Sequence, residues 1–171
     1  KKEAILFSIV KTMALGVVLG ALIGATIARF ASSQFLQIFF GCFELLLGIR
    51  YLLPEPKIQK EKKLPHFWGL SMIALCVTTI STMLGVGGGI INVPILTHFN
   101  IPVKKAIGTS SALSFMISLF GALFFLLMGM HSSRIDETVG YLYHPAFLVI
   151  SLLAFFNAPY GAKLAHRLNK S

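Results

Sequence analysis

Negative charge is scarce in this chain: Asp and Glu together number 6 in 171 residues, and charged residues of both signs make up only 12%. An ordinary soluble domain carries about a quarter charged residues, so the polar surface needed to enclose a water-soluble core is missing. Cysteine is as scarce. Cys42 and Cys76 sit far apart inside apolar runs, with no CxxC spacing and no neighbouring His, which excludes a disulfide scaffold and reads as two inert buried thiols. The five histidines show no metal-site spacing: His66, His98, His131 and His144 fall in or beside loops, and His166 lies in the basic tail. Glu44 is the sole acid well inside an apolar run, so the paired acids of an intramembrane enzyme are lacking and no enzymatic activity is expected. No cofactor is implied either. The apolar–polar alternation of a transmembrane β-barrel is also missing.

What is present is apolar sequence, 56% of the chain, gathered into five long stretches. Ile5–Ala28 contains Lys11 alone among charged residues, and Phe35–Leu53 contains Glu44 and Arg50. Phe67–Val103, Ala106–Met130 and Pro145–Ala162 contain no Asp, Glu, Lys or Arg at all. Each approaches or exceeds the roughly 17–25 residues that cross a hydrocarbon core, and in lipid such segments must be helices. The predicted fold is therefore all-α, a polytopic transmembrane helix bundle whose first partner is the lipid bilayer. The net charge of +9 does not indicate nucleic acid, because the basic residues punctuate the apolar runs instead of sharing one polar face. The chain begins Lys1-Lys2-Glu3, and the apolar run that follows is too long for a signal peptide's core.

Phe67–Val103 is too long for one crossing and slightly short for two. Its middle holds Gly85-Val86-Gly87-Gly88-Gly89, then Asn92 and Pro94. Glycine weakens helices and frees backbone groups, so a broken helix is predicted over 67–99, with arms of about 67–84 and about 90–99. Placing the Lys-rich segment Pro54–Pro65 in the cytoplasm, a re-entrant hairpin puts Lys104, Lys105, Lys163, Arg167 and Lys170 on that side too. A full double pass would export them. Helices are further predicted over 106–130 and 144–166.

Gly24-Ala25-Thr26-Ile27-Ala28 is echoed by Gly161-Ala162-Lys163-Leu164-Ala165, each at the end of an apolar helix. In this topology the two matched helices run in opposite directions, the arrangement of inverted-repeat transporters. Residues 1–53 then form the C-terminal part of a first repeat, 54–65 a cytoplasmic linker, and 66–171 a second repeat lacking its last helix.

The glycine break exposes N–H groups at membrane depth, and the helix starting near Ile90 adds its positive dipole end. Together they suit a small anion without any formal charge. Asn92 can add its amide, and Thr109, Ser110, Ser111 and Ser114, at the start of the next helix, can add hydroxyls. The competing reading is close helix packing. Gly85 and Gly89 are a GxxxG pair; Ser110, Ser114, Ser118 and Ala122 recur every four residues; so do Gly16, Gly20, Gly24 and Ala28, which read as a packing stripe. Neither a nucleotide-binding P-loop nor a dinucleotide fingerprint is present.

The run Gly85-Val86-Gly87-Gly88-Gly89-Ile90-Ile91-Asn92-Val93-Pro94-Ile95-Leu96, with Ala106-Ile107-Gly108-Thr109-Ser110-Ser111-Ala112 after it, resembles the sulfite exporter TauE/SafE family of membrane permeases. The resemblance implies two homologous halves, each opening with a GxGGG…VP segment, and a complete length of roughly 250–270 residues. It also implies movement of sulfite, a sulfonate or a related organic anion by secondary transport, across the bacterial inner membrane. Gly87, Gly88, Gly89, Asn92, Thr109, Ser110 and Ser111 are the candidate binding residues. A coupling proton or ion, with His98 as a candidate proton carrier, and self-association are left open. A non-transporting scaffold that uses its glycine faces to bind other helices is the alternative function. Lys11 and Glu44 come to similar depths if their helices are antiparallel neighbours, so a structural ion pair is expected between them. Arg29, Arg50 and Lys163, near helix ends, are expected to snorkel.

Overall fold

The computed structural model describes residues 5–53, 65–130 and 138–168, with the side chains of Tyr51 and 162–168 outside the description. Six helices account for nearly all of it: α1 (Phe7–Phe30), α2 (Ser33–Leu52), α3 (Phe67–Leu84), α4 (Gly89–His98), α5 (Val103–Gly129) and α6 (His144–Leu168). Among the described residues α1, α3 and α5 are long and apolar enough to cross a membrane. The chain forms two compact units, one up to Phe124 and one from Phe125.

The first unit is organised by α1 lying along α3. Its contact line is the glycine stripe. A Cβ on Gly20 would stand 2.6 Å from the Leu75 carbonyl oxygen and 2.9 Å from Thr78 Cβ, and one on Gly24 would stand 2.6 Å from the Thr79 carbonyl oxygen. Gly16 meets the Ser71 carbonyl more closely still. With no side chain in the way, the two backbones approach until hydroxyls on α3 reach the carbonyls of α1. Ser71 Oγ donates to Thr12 O at 2.8 Å and Thr79 Oγ1 to Gly20 O at 3.3 Å. In lipid, where burial of apolar surface favours no helix pair over lipid contact, such backbone proximity supplies the association energy. Met13 and Val17 from α1, Leu70 and Ala74 from α3, Leu96 and Ile101 around the end of α4, and Leu113 and Ile117 from α5 fill the core.

The broken helix is present, and both of its ends have a local cause. α3 stops where Gly85 takes φ +70°, donating its N–H to Thr82 O while Val86 N donates to Ser81 O. This is a Schellman closure, which a left-handed residue makes possible. α4 stops the same way with Asn100 (φ +60°) in the glycine's place: Asn100 N bonds Thr97 O and Ile101 N bonds Leu96 O, and Ile101 and Leu96 join the core. At 10 residues α4 is about 15 Å long, half of a roughly 30 Å core.

Two helix starts differ from the sequence reading. α4 begins at Gly89, because Gly88 (φ +70°) is its N-cap. α5 begins at Val103 instead of Ala106: the Pro102 carbonyl accepts from Lys105 N and Ala106 N, so both lysines lie in the first helical turn. Proline is well suited to opening a helix, since its missing N–H has no intrahelical partner there. A short hairpin was not foreseen. Thr138–Val139 pairs antiparallel with Leu142–Tyr143 (β1 and β2), turning at Gly140 with φ +64°. Its turn lies against the end of α5 in the second unit, where Gly129 meets Gly140 and Tyr141 too closely to admit a side chain.

Candidate functional site

The glycine break is the point where α3, α4 and α5 converge. Gly88 holds a left-handed backbone at φ +70°, and a Cβ there would lie 2.6 Å from Ile117 Cδ1 and 3.3 Å from both Ser81 Oγ and Asn92 Nδ2. A Cβ on Gly89 would lie 3.2 Å from Ser114 Oγ, and one on Gly87 3.5 Å from Ser118 Oγ. Three consecutive glycines therefore seat the backbone against the serine face of α5 and the end of α3. Among the described residues the N–H groups of Gly87, Gly88 and Gly89 make no hydrogen bond, as expected where a helix begins. The positive end of the α4 dipole adds to them, and no ionised side chain is needed.

Around these amides the side chains are buried polar groups. Asn92 is 1% exposed and Ser81 is 0% exposed. Ser81 Oγ, Asn92 Oδ1 and Ser114 Oγ at the break, and Thr78 Oγ1 and Thr82 Oγ1 where α3 meets Gly20 and Gly24 of α1, are buried without a hydrogen-bond partner among the described residues. Most buried polar side-chain atoms in proteins are paired, so the three beside the break stand out.

The residues expected at the site divide sharply. Gly87, Gly88, Gly89 and Asn92 come together as described. Ser110 joins them in a supporting position, its Oγ donating to Gly89 O at 3.2 Å, so it anchors the break and its proton is already committed. Thr109 faces elsewhere: its buried Oγ1 accepts from Leu6 N at 3.1 Å and ties down the start of α1. Ser111 is exposed and donates to Ile107 O of its own helix. These assignments follow from the longer α5, which moves Thr109–Ser111 from its first turn into its second. Consecutive residues there point in three directions, and only one meets the break. Ser114 does face it. The residue missed by sequence is Ser81 on α3, whose signal was a hydroxyl within the last turn before Gly85, while Thr78 and Thr82 lie against Gly20 and Gly24 of α1.

Lys11 and Glu44 are not brought together. Both side chains are exposed, and no ion pair joins them. Lys11 lies opposite the buried face of α1 formed by Ile9, Met13, Gly16, Val17 and Gly20, and that face is taken by α3 and not α2. His98 is exposed at the C-terminal end of α4, about 13 Å along the axis from the amides.

The whole chain, residues 1–171, matches the model of the family described as "Sulfite exporter TauE/SafE". The chain belongs to that family. It is a multi-pass membrane protein with an all-α bundle, and two relatives agree. A "Probable membrane transporter protein" of Haemophilus influenzae is 30% identical over 132 residues, covering 75% of this chain and 49% of the relative. The "Probable membrane transporter protein MJ0441" of Methanocaldococcus jannaschii is 28% identical over 153 residues, covering 86% of this chain and 53% of the relative. The TauE/SafE chain thus spans about half the length of the curated relatives it matches. No solved structure matches it.

Proposed function

We propose that this TauE/SafE chain is part of a permease that moves a small anion, such as sulfite or a sulfonate, across a bacterial inner membrane by secondary transport. The observation that carries the reading is the ring of orphan donors at the start of α4. The Gly87–Gly89 amides, the Asn92 amide and the Ser114 hydroxyl are offered to a ligand inside the membrane with no cation among them. Neutral donors of this kind hold an anion moderately, which suits a carrier that must also release it. Residues 1–53 and 66–171 belong, in this reading, to two inverted repeats joined by the segment 54–65, with α3 and α4 as the re-entrant arms of the second.

The scaffold alternative is weakened by where the glycines point. The Gly16–Gly24 stripe is occupied by α3 of the same chain, so it is unavailable to a foreign helix. The decisive measurement is anion uptake into liposomes containing the protein. Ser114→Ala should weaken apparent anion affinity about 10–100-fold, the worth of one hydrogen bond to a charged group, and Ser111→Ala should leave it unchanged. Equal affinity in both variants and the parent would refute the assignment.

A further inference from the structure

Small sulfur oxyanions share three oxygens around the sulfur and differ at the fourth tetrahedral position. That position is a lone pair in sulfite, a carbon in an alkanesulfonate, and in sulfate a further oxygen that needs a hydrogen-bond donor. A site with donors on every side cannot tell them apart. One with an apolar wall can, and the glycine break has such a wall. Among the described residues, Ser114 Oγ stands 3.2 Å from the point where a Cβ on Gly89 would be, and Ser118 Oγ 3.5 Å from the corresponding point on Gly87. Gly88 differs from both neighbours. Its nearest contact is Ile117 Cδ1 at 2.6 Å, closer than Ser81 Oγ or Asn92 Nδ2 at 3.3 Å. Ile117 is 2% exposed, and it is the one apolar side chain among these nearest neighbours.

Helix geometry places that methyl beside the orphan donors. Ile117 follows Ser114 at i+3 on α5, so the two share a face one turn apart, and it is the face turned to the break. An anion held by the Gly87–Gly89 amides and the Ser114 hydroxyl lies on that face, with the Ile117 methyl as its next neighbour along α5. A hydrocarbon methyl neither donates nor accepts a hydrogen bond. An anionic oxygen pressed against it gives up its water and gains nothing in return, whereas a sulfur lone pair or a small alkyl group loses little.

We propose that Ile117 is the specificity-determining residue of the anion site: it admits three-oxygen anions whose fourth position is a lone pair or a small alkyl group, and it rejects four-oxygen anions such as sulfate. This role rests on the anion reading above and adds to it the side chain that selects the anion. Ile117 supplies no hydrogen bond, so its effect lies in the ratio of affinities and not in their absolute strength. An apolar wall facing one extra polar group discriminates by about 10–100-fold.

The test is competition by sulfate, methanesulfonate and ethanesulfonate against radioactive sulfite bound to the purified protein, at an alkaline pH where sulfite and sulfate are both dianions. The parent should bind sulfite at least about tenfold more tightly than sulfate. Ile117→Val and Ile117→Thr both remove the Cδ1 methyl, have the same shape, and differ by one hydroxyl. Ile117→Thr should narrow the preference for sulfite over sulfate by about tenfold or more. Ile117→Val should keep that preference and, with one methyl gone, improve ethanesulfonate relative to methanesulfonate by about tenfold. A side chain that only packs helices would scale every affinity by one factor. Unchanged ratios in both folded variants therefore overturn the proposal. Should Ile117→Thr not fold, the ethanesulfonate ratio in Ile117→Val decides alone. A parent that binds sulfite and sulfate equally well removes the role of Ile117 and leaves the anion reading standing. A folded parent that binds none of these anions removes the anion reading, and the role of Ile117 with it.

Discussion

The backbone N–H of Leu6 donates to the buried hydroxyl of Thr109 at 3.1 Å, joining residues 103 apart in sequence. That bond fixes where α1 enters the bundle relative to α5. It also removes Thr109 from the anion site that its neighbours suggest. Thr109→Val keeps the shape but leaves the Leu6 donor unpaired, which should cost about 1–3 kcal/mol. Thermal unfolding in detergent should show a lowered Tm, Thr109→Ser should restore it, and anion affinity per folded molecule should be the same in all three.

Two glycines that look alike in sequence should respond in opposite ways to alanine. Gly20 faces the Leu75 carbonyl at 2.6 Å from a would-be Cβ, whereas Gly48 on α2 has nothing within 4 Å. Gly20→Ala must push α1 from α3 and should destabilise by about 1–3 kcal/mol, the usual range for overpacking. Gly48→Ala meets no neighbour and should gain roughly 0.5–1 kcal/mol from helix propensity. A measured order of stability with Gly20→Ala at or above Gly48→Ala would contradict the α1–α3 contact.

Lys11 and Glu44 should act independently. With both exposed and α1 committed to α3, the stability changes of Lys11→Met and Glu44→Gln should add to within about 0.5 kcal/mol in the double variant. A larger coupling would mean that α1 and α2 meet in the membrane as they do not here.

The half-length α4 makes a topological prediction. In a background without Cys42 and Cys76, Pro65→Cys and Lys104→Cys should be labelled by an impermeant thiol reagent from the same side. Each flanks the α3–α4 pair, and an arm of about 15 Å returns from mid-membrane without reaching the far face. Labelling from opposite sides would replace the re-entrant hairpin with a complete double pass.

The helices and the break were legible because each is dictated locally. Runs such as Ala106–Met130 leave lipid-facing helix as the available structure, and a Gly-x-Gly-Gly-Gly run cannot continue a helix without penalty. The glycine stripe of α1 could be read as a contact surface because small residues every four positions permit backbone approach. Its partner could not be read. Chain adjacency suggested α2, but α3 carries Ser71 and Thr79 at the register where Gly16–Gly24 opens the α1 backbone. The start of α5 was misjudged by three residues because Lys104 and Lys105 were taken as loop charges.

By itself, then, the sequence determined the membrane as solvent, the helical class, the site of the break and the small residues that permit close packing. These follow from composition and from single-residue conformational energies. Only the tertiary structure decided that Ser110 anchors the break while Thr109 holds Leu6 and Ser111 faces outward, and that Ser81 and Asn92 converge on Gly88. Which direction a hydroxyl points depends on where its helix began and which neighbour came to rest against it. Both are settled by packing among segments far apart in the chain, and no local pattern encodes them.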